Sequence, residues 1–326
     1  MQSIKFDTYL FNFLIIQMNY FYLQWDHKRP SICVFTDKKP NKINIIHEVN
    51  IRGYKNIFEK IILCGDISPE FDVYIKEPIY RNRSYLLSHL QKCIRRMKCK
   101  KSIQTAKHLL DLDPNYLLRR IPILMFEDVI PHESLSVIVW LMIATSKGFE
   151  LRNIMIEWIL GVIYFLASCS EIDTCIKTDT INETIFKNDY GQINNTFLRS
   201  CILRLSYGGM KGDMKMINYF INLWSERFRE GIKINDSKIK LIHRSIVKLN
   251  RNEFELCAND FHCNHSLIPE IKQQYELYSE DYIQTLIWKY SSRINKRINH
   301  KRDEDEYKDW LIIKKYVKWL QSKVKI

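Results

Sequence analysis

Cys257, Asp260, His262, Cys263 and His265 fall within nine residues, in the stretch ELCANDFHCNHSL. Cys thiolates and His imidazoles have the softness zinc prefers, so Cys257, His262, Cys263 and His265 form a candidate zinc set. Cys263 beside a His base is also a pairing that nucleophilic enzymes use. The paired CxxC or HxxxH rhythm of zinc motifs is absent, and an ordinary polar loop is the competing reading. Apart from zinc, the sequence implies no cofactor.

A second constellation is YGGMKGD, from Tyr207 to Asp213. Gly208, Gly209 and Gly212 allow close backbone approach, and the helix that follows would offer free amides to an anion, with Lys211 as counter-charge. A tight turn between helices is the alternative. Glu127, Asp128 and His132 could form an acid–base cluster. At a Pro turn before a helix start, the same carboxylates satisfy amides and the helix dipole.

Charge is the strongest signal. Of the formal +13, Arg81 to Lys107 supplies nine cations and no acid, namely Arg81, Arg83, Lys92, Arg95, Arg96, Lys98, Lys100, Lys101 and Lys107. Leu286 to Ile326 adds 12 basic residues against 5 acidic, leaving the rest of the chain slightly negative. Such fields attract phosphate backbones regardless of base sequence and weaken with salt. Arg293 and Arg297, interleaved with Trp288 and Tyr290, add a mixture that can stack bases and neutralise phosphates. The leading expectation is a nucleic-acid-associated accessory or assembly factor that holds DNA or RNA through a basic helical hairpin. A solvated helix face and a scaffold docking an acidic protein are the alternatives. Of Arg119 and Arg120, one is expected to be a buried ion-pair partner of Glu127 or Asp128.

The elements positioning these residues should be mainly helices. The 326 residues are 46% hydrophobic with only 9 Gly and 8 Pro, too few for a turn-rich β architecture. We expect a mostly α chain, a multi-helix bundle with a small mixed α+β N-terminal region. The divisions expected are 1–78 mixed, 79–250 helical core and 251–326 helical with a basic terminal helix. SICVF, KINIIHEVNI and FDVYIK read as strands. Helix starts are expected at Ser84, Ser102, Asp113-Pro114 and Ser134, with Pro122 bending or ending the third. Further helices are expected over Arg152–Cys169, Asn194–Ser206, Asp213–Phe228, Asp236–Leu249 and Asp281–Ile298, with Thr174–Gly191 polar. In the last helix Trp310, Ile313, Val317, Leu320 and Val324 recur at 3,4 spacing, a face for docking a partner or a second copy.

Nine scattered cysteines without CxxC point to free thiols in a reducing, intracellular compartment. Tyr9 to Trp25 is aromatic but interrupted by Asn12, Gln17 and Asn19, so neither signal peptide nor membrane span is expected there. The apolar run Ile154 to Ser168 falls short of the roughly 20 residues a span needs.

The run SHLQKCIRR, then Ala106, then LDLDPNYLLRRIPILMFEDVIPHESL resembles the helical C-terminal domain of the RarA/MgsA recombination factors, the family of the Werner-helicase-interacting protein. The residues that carry the resemblance are Ser88, Lys92, Asp113-Pro114, Leu118 with Arg119 and Arg120, and Glu127-Asp128 before Pro131. About 55 residues are covered. The resemblance implies a collar-like domain used for assembly and DNA transactions in replication and recombination. No GK[ST] occurs in the chain, so the family's ATPase is not implied.

Overall fold

The computed structural model describes residues 19–52, 58–173, 195–245 and 248–325. The N-terminal aromatic stretch up to residue 18 and the whole of 174–194, which includes the polar stretch Thr174–Gly191, lie outside the described residues. The chain is mostly α-helical with a small N-terminal mixed sheet.

Strands β1 (Asn19–Asp26) and β2 (Arg29–Thr36) pair antiparallel, as do β3 (Ile45–Arg52) and β4 (Phe58–Ile67). β1 runs parallel to β4, which gives the order β2-β1-β4-β3. Period-two alternation sends Phe21, Leu23, Trp25, Ile61, Leu63 and Ile67 into the main core. Tyr20, Tyr22, Ile62 and Cys64 cluster on the opposite face. The expected strand FDVYIK does not form: Val73 makes one isolated bridge to Arg152.

Helices α1 (Arg83–Arg95), α2 (Cys99–Leu112), α3 (Pro114–Asp128), α4 (Ser134–Ser146) and α5 (Asn153–Ser168) build the core with α6 (Thr196–Ser206) and α7 (Lys211–Arg229). Asp113 caps α3 as expected, its carboxylate accepting from Asn115 N–H at 2.9 Å. Asn82 rather than Ser84 caps α1, accepting from Tyr85 N–H at 3.1 Å. α2 begins a turn before Ser102, whose hydroxyl instead donates back to the Lys98 carbonyl. Pro122 lies within α3 without ending it, at the loss of one ladder hydrogen bond.

α4 is buried from Ser134 to Ala144, which is why its sequence shows no polar face. Trp140 Nε1 donates to the carbonyls of Phe21 and Cys64, at 3.1 and 3.0 Å, seating the helix on the two central strands. Gly65 permits this approach, because a Cβ there would lie 3.1 Å from the indole.

Of the helix expected over Asp236–Leu249, the described residues 236–245 form instead a non-helical strap across α5. Ile242 N–H donates to the Glu157 carbonyl at 3.1 Å, and the Lys240 carbonyl occupies the place where a Cβ on Gly161 would sit. A single extended chain fits this approach, whereas a helix is about 10 Å across with its side chains.

A second core joins α8 (Leu267–Gln274), α9 (Glu280–Ile287) and α10 (Glu304–Lys323). The 3,4 stripe of Trp310, Ile313, Val317 and Leu320 lies in this core, so the face expected to meet a partner is covered by the chain itself. The helix expected to Ile298 ends at Ile287 and passes into a π-helical turn, Trp288–Ser292. Among the described residues no helix is long and apolar enough to cross a membrane.

Buried histidines make this core acid-sensitive. His89 lies between the Thr105 hydroxyl and the Cys93 thiol, and burial pushes its pKa down to about 3. Burial likewise lowers His108 and His132. Unfolded histidines titrate near pH 6.5, so below that pH the unfolded chain holds more protons and stability falls. Urea midpoints should therefore drop between about pH 7.5 and 5.5, a window in which free carboxylates hardly titrate. A flat midpoint there would contradict this assignment.

Candidate nucleic-acid interface

The basic segment does not project as one continuous positive surface. Lys92, Arg95, Arg96, Lys98 and Lys101 turn inward and bind the region after residue 250. Lys92 is buried, paired with Asp260 at 2.5 Å and hydrogen-bonded to Ser88 at 2.9 Å. Arg95 pairs with Glu127 and Asp128, at 2.7 and 2.5 Å, and donates to the Ser292 carbonyl. Arg96 donates to the Cys257 sulfur and the Ser291 carbonyl, both at 2.6 Å. The π-helical turn supplies those two serine carbonyls.

Lys98 and Lys101 share the carboxylate of Glu255, at 2.8 and 2.6 Å. Burial raises that carboxyl's pKa, but the two ammonium groups more than reverse this and hold it below the usual range. Lys107 pairs with Asp111 on its own helix. Arg297 donates to carbonyls of Ile94, Leu166 and Cys169, where α1 and α5 end and their dipoles favour a cation. Arg293 lies 4.6 Å from the Trp288 ring centroid and beside His300. Of the hairpin cations, Arg81, Arg83 and Lys100 remain exposed.

At the glycine turn, Gly208 and Gly209 take φ of +69° and +155°, which explains glycine there. The carbonyls of Tyr207 and Gly208 face Arg119, and the Gly208 carbonyl also accepts from Arg204 at 2.8 Å. Arg120 pairs with Asp213 in the first turn of α7. Cations thus meet backbone oxygens here, and Lys211 and Gly212 are exposed. Burial, with Arg119 nearby, pulls Arg204 down to about 10. Of the acid–base cluster, Glu127 and Asp128 hold Arg95, and His132 binds Ser134 and the Ser237 carbonyl. Among the described residues neither Arg119 nor Arg120 forms an ion pair with those acids, and the partner expected for them is taken by Arg95.

The Cys/His constellation does not converge. Cys257 faces Arg96, the Cys263 thiol donates to the Ala258 carbonyl at 2.7 Å, and His262 and His265 are exposed. Burial pushes both thiols up to about 11, which disfavours the thiolate needed by a metal or a nucleophile. Among the described residues no group of three or more His, Cys, Asp or Glu is arranged to hold a metal.

A different basic surface is left open, on the C-terminal half of α10. Lys314, Lys315, Lys318 and Lys323 are exposed there, as is Lys325 just past its end. The ion pairs of this helix, Lys289–Glu306, Arg302–Glu304 and Lys308–Asp305, lie toward its acidic N-terminal end. Among the described residues none reaches those five lysines. Trp319 is 46% exposed between them, stacked on Tyr316 at 5.0 Å and capped by Lys323 Nζ 3.5 Å from its centroid.

Leu311, Lys315, Trp319 and Lys323 follow one another at i,i+4, and Lys314, Lys318 and Ser322 form the adjacent row. The face is about 18 Å long. Asn82 donates to the Lys325 carbonyl at 3.1 Å, and Arg251 donates to the carbonyls of Ser322 and Val324. These bonds bring exposed Arg81 and Arg83 beside the end of α10. Charge counting had marked the terminal helix as basic. The Tyr316–Trp319 platform was missed because its tryptophan sits one position from a core residue.

Compared with protein-family models, curated proteins and solved structures, the chain matches none.

Proposed function

We propose that this chain is a non-catalytic nucleic-acid-binding accessory factor whose contact surface is the C-terminal half of α10 with Arg81 and Arg83. The observation carrying this reading is the set of exposed lysines around the Tyr316–Trp319 stack, which make no ion pair among the described residues. Lysines supply sequence-independent phosphate contacts, and Trp319, 46% exposed, gives a base a stacking face when Lys323 leaves its ring for a phosphate. Fluorescence anisotropy with a labelled single-stranded oligonucleotide tests it. Trp319→Ala should weaken binding by about 1–3 kcal/mol, or roughly 5–150-fold. Unchanged affinity would remove the stacking part of the proposal.

The resemblance of residues 84–135 to a recombination-factor collar supports an assembly role without a motor. A second reading rests on Leu311 and Ile312, exposed beside the same lysines. An acidic protein segment with apolar side chains would suit that mixture. It predicts a pull-down that survives nuclease treatment and is lost in Leu311→Ser/Ile312→Ser.

A further inference from the structure

The glycine turn, which the proposed function does not use, leads into α7 without a side-chain cap. Met214 N–H closes the first turn on the Met210 carbonyl at 3.1 Å, and among the described residues no group accepts from the amides of Lys211, Gly212 and Asp213. Open amides and a favourable dipole belong to any helix start. What sets this one apart is Arg204. That side chain is buried, with the residue only 3% exposed, yet it has no carboxylate partner among the described residues. Its Nε and Nη1 donate to the carbonyls of Arg119 and Gly208, at 3.0 and 2.8 Å. Its Nη2 makes no hydrogen bond among the described residues, and it is not one of the fully enclosed polar atoms. It lies 3.7 Å from where a Cβ on Gly209 would sit, beside the residue that precedes the α7 N-cap.

The charges favour an anion here. Neutral carbonyls satisfy the N–H groups of a guanidinium but not its charge, so a buried arginine ordinarily keeps an anionic partner. Burial and the Arg119 charge lower the Arg204 pKa to about 10, which registers the missing counter-charge. Arg119 and Arg120 reach the same turn, and Lys211 is exposed at its rim. Among the described residues Asp213 alone pairs with any of these cations, 3.4 Å from Arg120, and the neighbouring Glu127 is held by Arg95. Four cations against one acid leave the turn at +3.

We infer that the start of α7 and the Arg204 guanidinium together bind a phosphate-type oxyanion. The amides of Lys211, Gly212 and Asp213 and Arg204 Nη2 are the donors, and the Lys211 ammonium is the exposed counter-charge. The anion has two sources, free phosphate or a phosphate of a bound strand. The strand source rests on the proposed function, and α3 supplies its route. Asn82 holds the Lys325 carbonyl, the adjoining Arg83 lies 4.2 Å from the Tyr116 ring centroid, and Arg119 and Arg120 follow Tyr116 by one turn of α3. Cations thus lead from the end of α10 to the turn.

Titration calorimetry of the full chain with inorganic phosphate, in a phosphate-free buffer of low ionic strength, tests the site. One phosphate per chain is expected, with a thermal midpoint that rises as phosphate is added. Lys211→Pro removes one amide and the ammonium while sparing the fold. Proline suits the first helical position, and Met210 before it already has the extended ψ of 142° that a following proline requires. Binding should weaken at least about tenfold in Lys211→Pro and about threefold in Lys211→Ala, which loses the exposed charge alone. Arg204→Lys, checked for an unchanged thermal midpoint, keeps the charge without the second nitrogen and should also weaken binding. Anisotropy with a single-stranded oligonucleotide separates the sources. Affinity that falls in Lys211→Pro assigns the strand; phosphate binding with oligonucleotide affinity unchanged assigns the free ion. If phosphate binds and no oligonucleotide does, the site stands and the proposed function fails. No phosphate binding, or binding indifferent to Lys211→Pro, overturns the inference.

Discussion

Asp260→Ala should destabilise the protein by about 3–5 kcal/mol, the usual cost of stranding one partner of a buried ion pair. The side chains of Lys92 and Asp260 are 4% and 0% exposed, and Asp260 also accepts from the Ser292 hydroxyl and the His262 N–H. Removing the carboxylate leaves a buried ammonium with, among the described residues, Ser88 as its one remaining hydrogen-bond partner. Because Lys92 lies on α1 and Asp260 in the loop before α8, the loss should also loosen the region after residue 250. Faster amide exchange in α8 to α10 than in α4 would report this.

Burial raises the Asp260 carboxyl, but Lys92 and the hydrogen bonds more than reverse this and hold it below the usual carboxylate range. The pair's contribution is therefore complete above about pH 4 and is lost as pH falls through the lower folded value. The double change Lys92→Met/Asp260→Leu removes both charges and should recover most of the stability. Urea denaturation decides the matter. A loss below about 1 kcal/mol for Asp260→Ala would mean that the pair is solvated and the docking surface is not as described.

Gly161→Ala is the second large effect, and its sign opposes helix propensity. In a helix interior alanine is ordinarily favoured over glycine by about 1 kcal/mol. Here the added Cβ would lie 2.0 Å from the Lys240 carbonyl oxygen and 2.8 Å from an Ile239 methyl. The backbone of the strap must move, so overpacking of about 1–3 kcal/mol should win. Limited proteolysis should then cut residues 236–245 faster than in the wild type. A stabilised Gly161→Ala would show that the strap does not lie on α5.

Local chemistry was legible in the sequence, and long-range pairing was not. Asp113-Pro114, the apolar α4 run and the 3,4 stripe of α10 specify their elements through capping and period, which need only neighbouring residues. The basic hairpin misled for the opposite reason. Glu255 lies over 150 residues from Lys98 and Lys101, and Asp260 is likewise remote from Lys92, so no window contains both signs. The strap failed in the same way. Ile239, Leu241 and Ile242 suit a helix face, and what forbids a helix is Gly161, on another element. In the candidate site, the lysines of α10 were visible as charge. Their freedom from ion pairs, and the Tyr316–Trp319 platform between them, required the tertiary structure.

The direct test of the account is the salt dependence of single-stranded oligonucleotide affinity, measured by anisotropy between about 50 and 200 mM salt. The wild-type chain is compared with Lys314→Glu/Lys315→Glu/Lys318→Glu and with Lys100→Glu on the hairpin. Binding should weaken steeply with salt in the wild type. Loss of three phosphate contacts should lower the log–log slope by about 2 in the α10 variant. Its affinity at low salt should fall at least tenfold, with Lys100→Glu nearly unchanged. Binding that ignores the α10 substitutions, or no binding at low salt, would contradict the claim that this face meets nucleic acid.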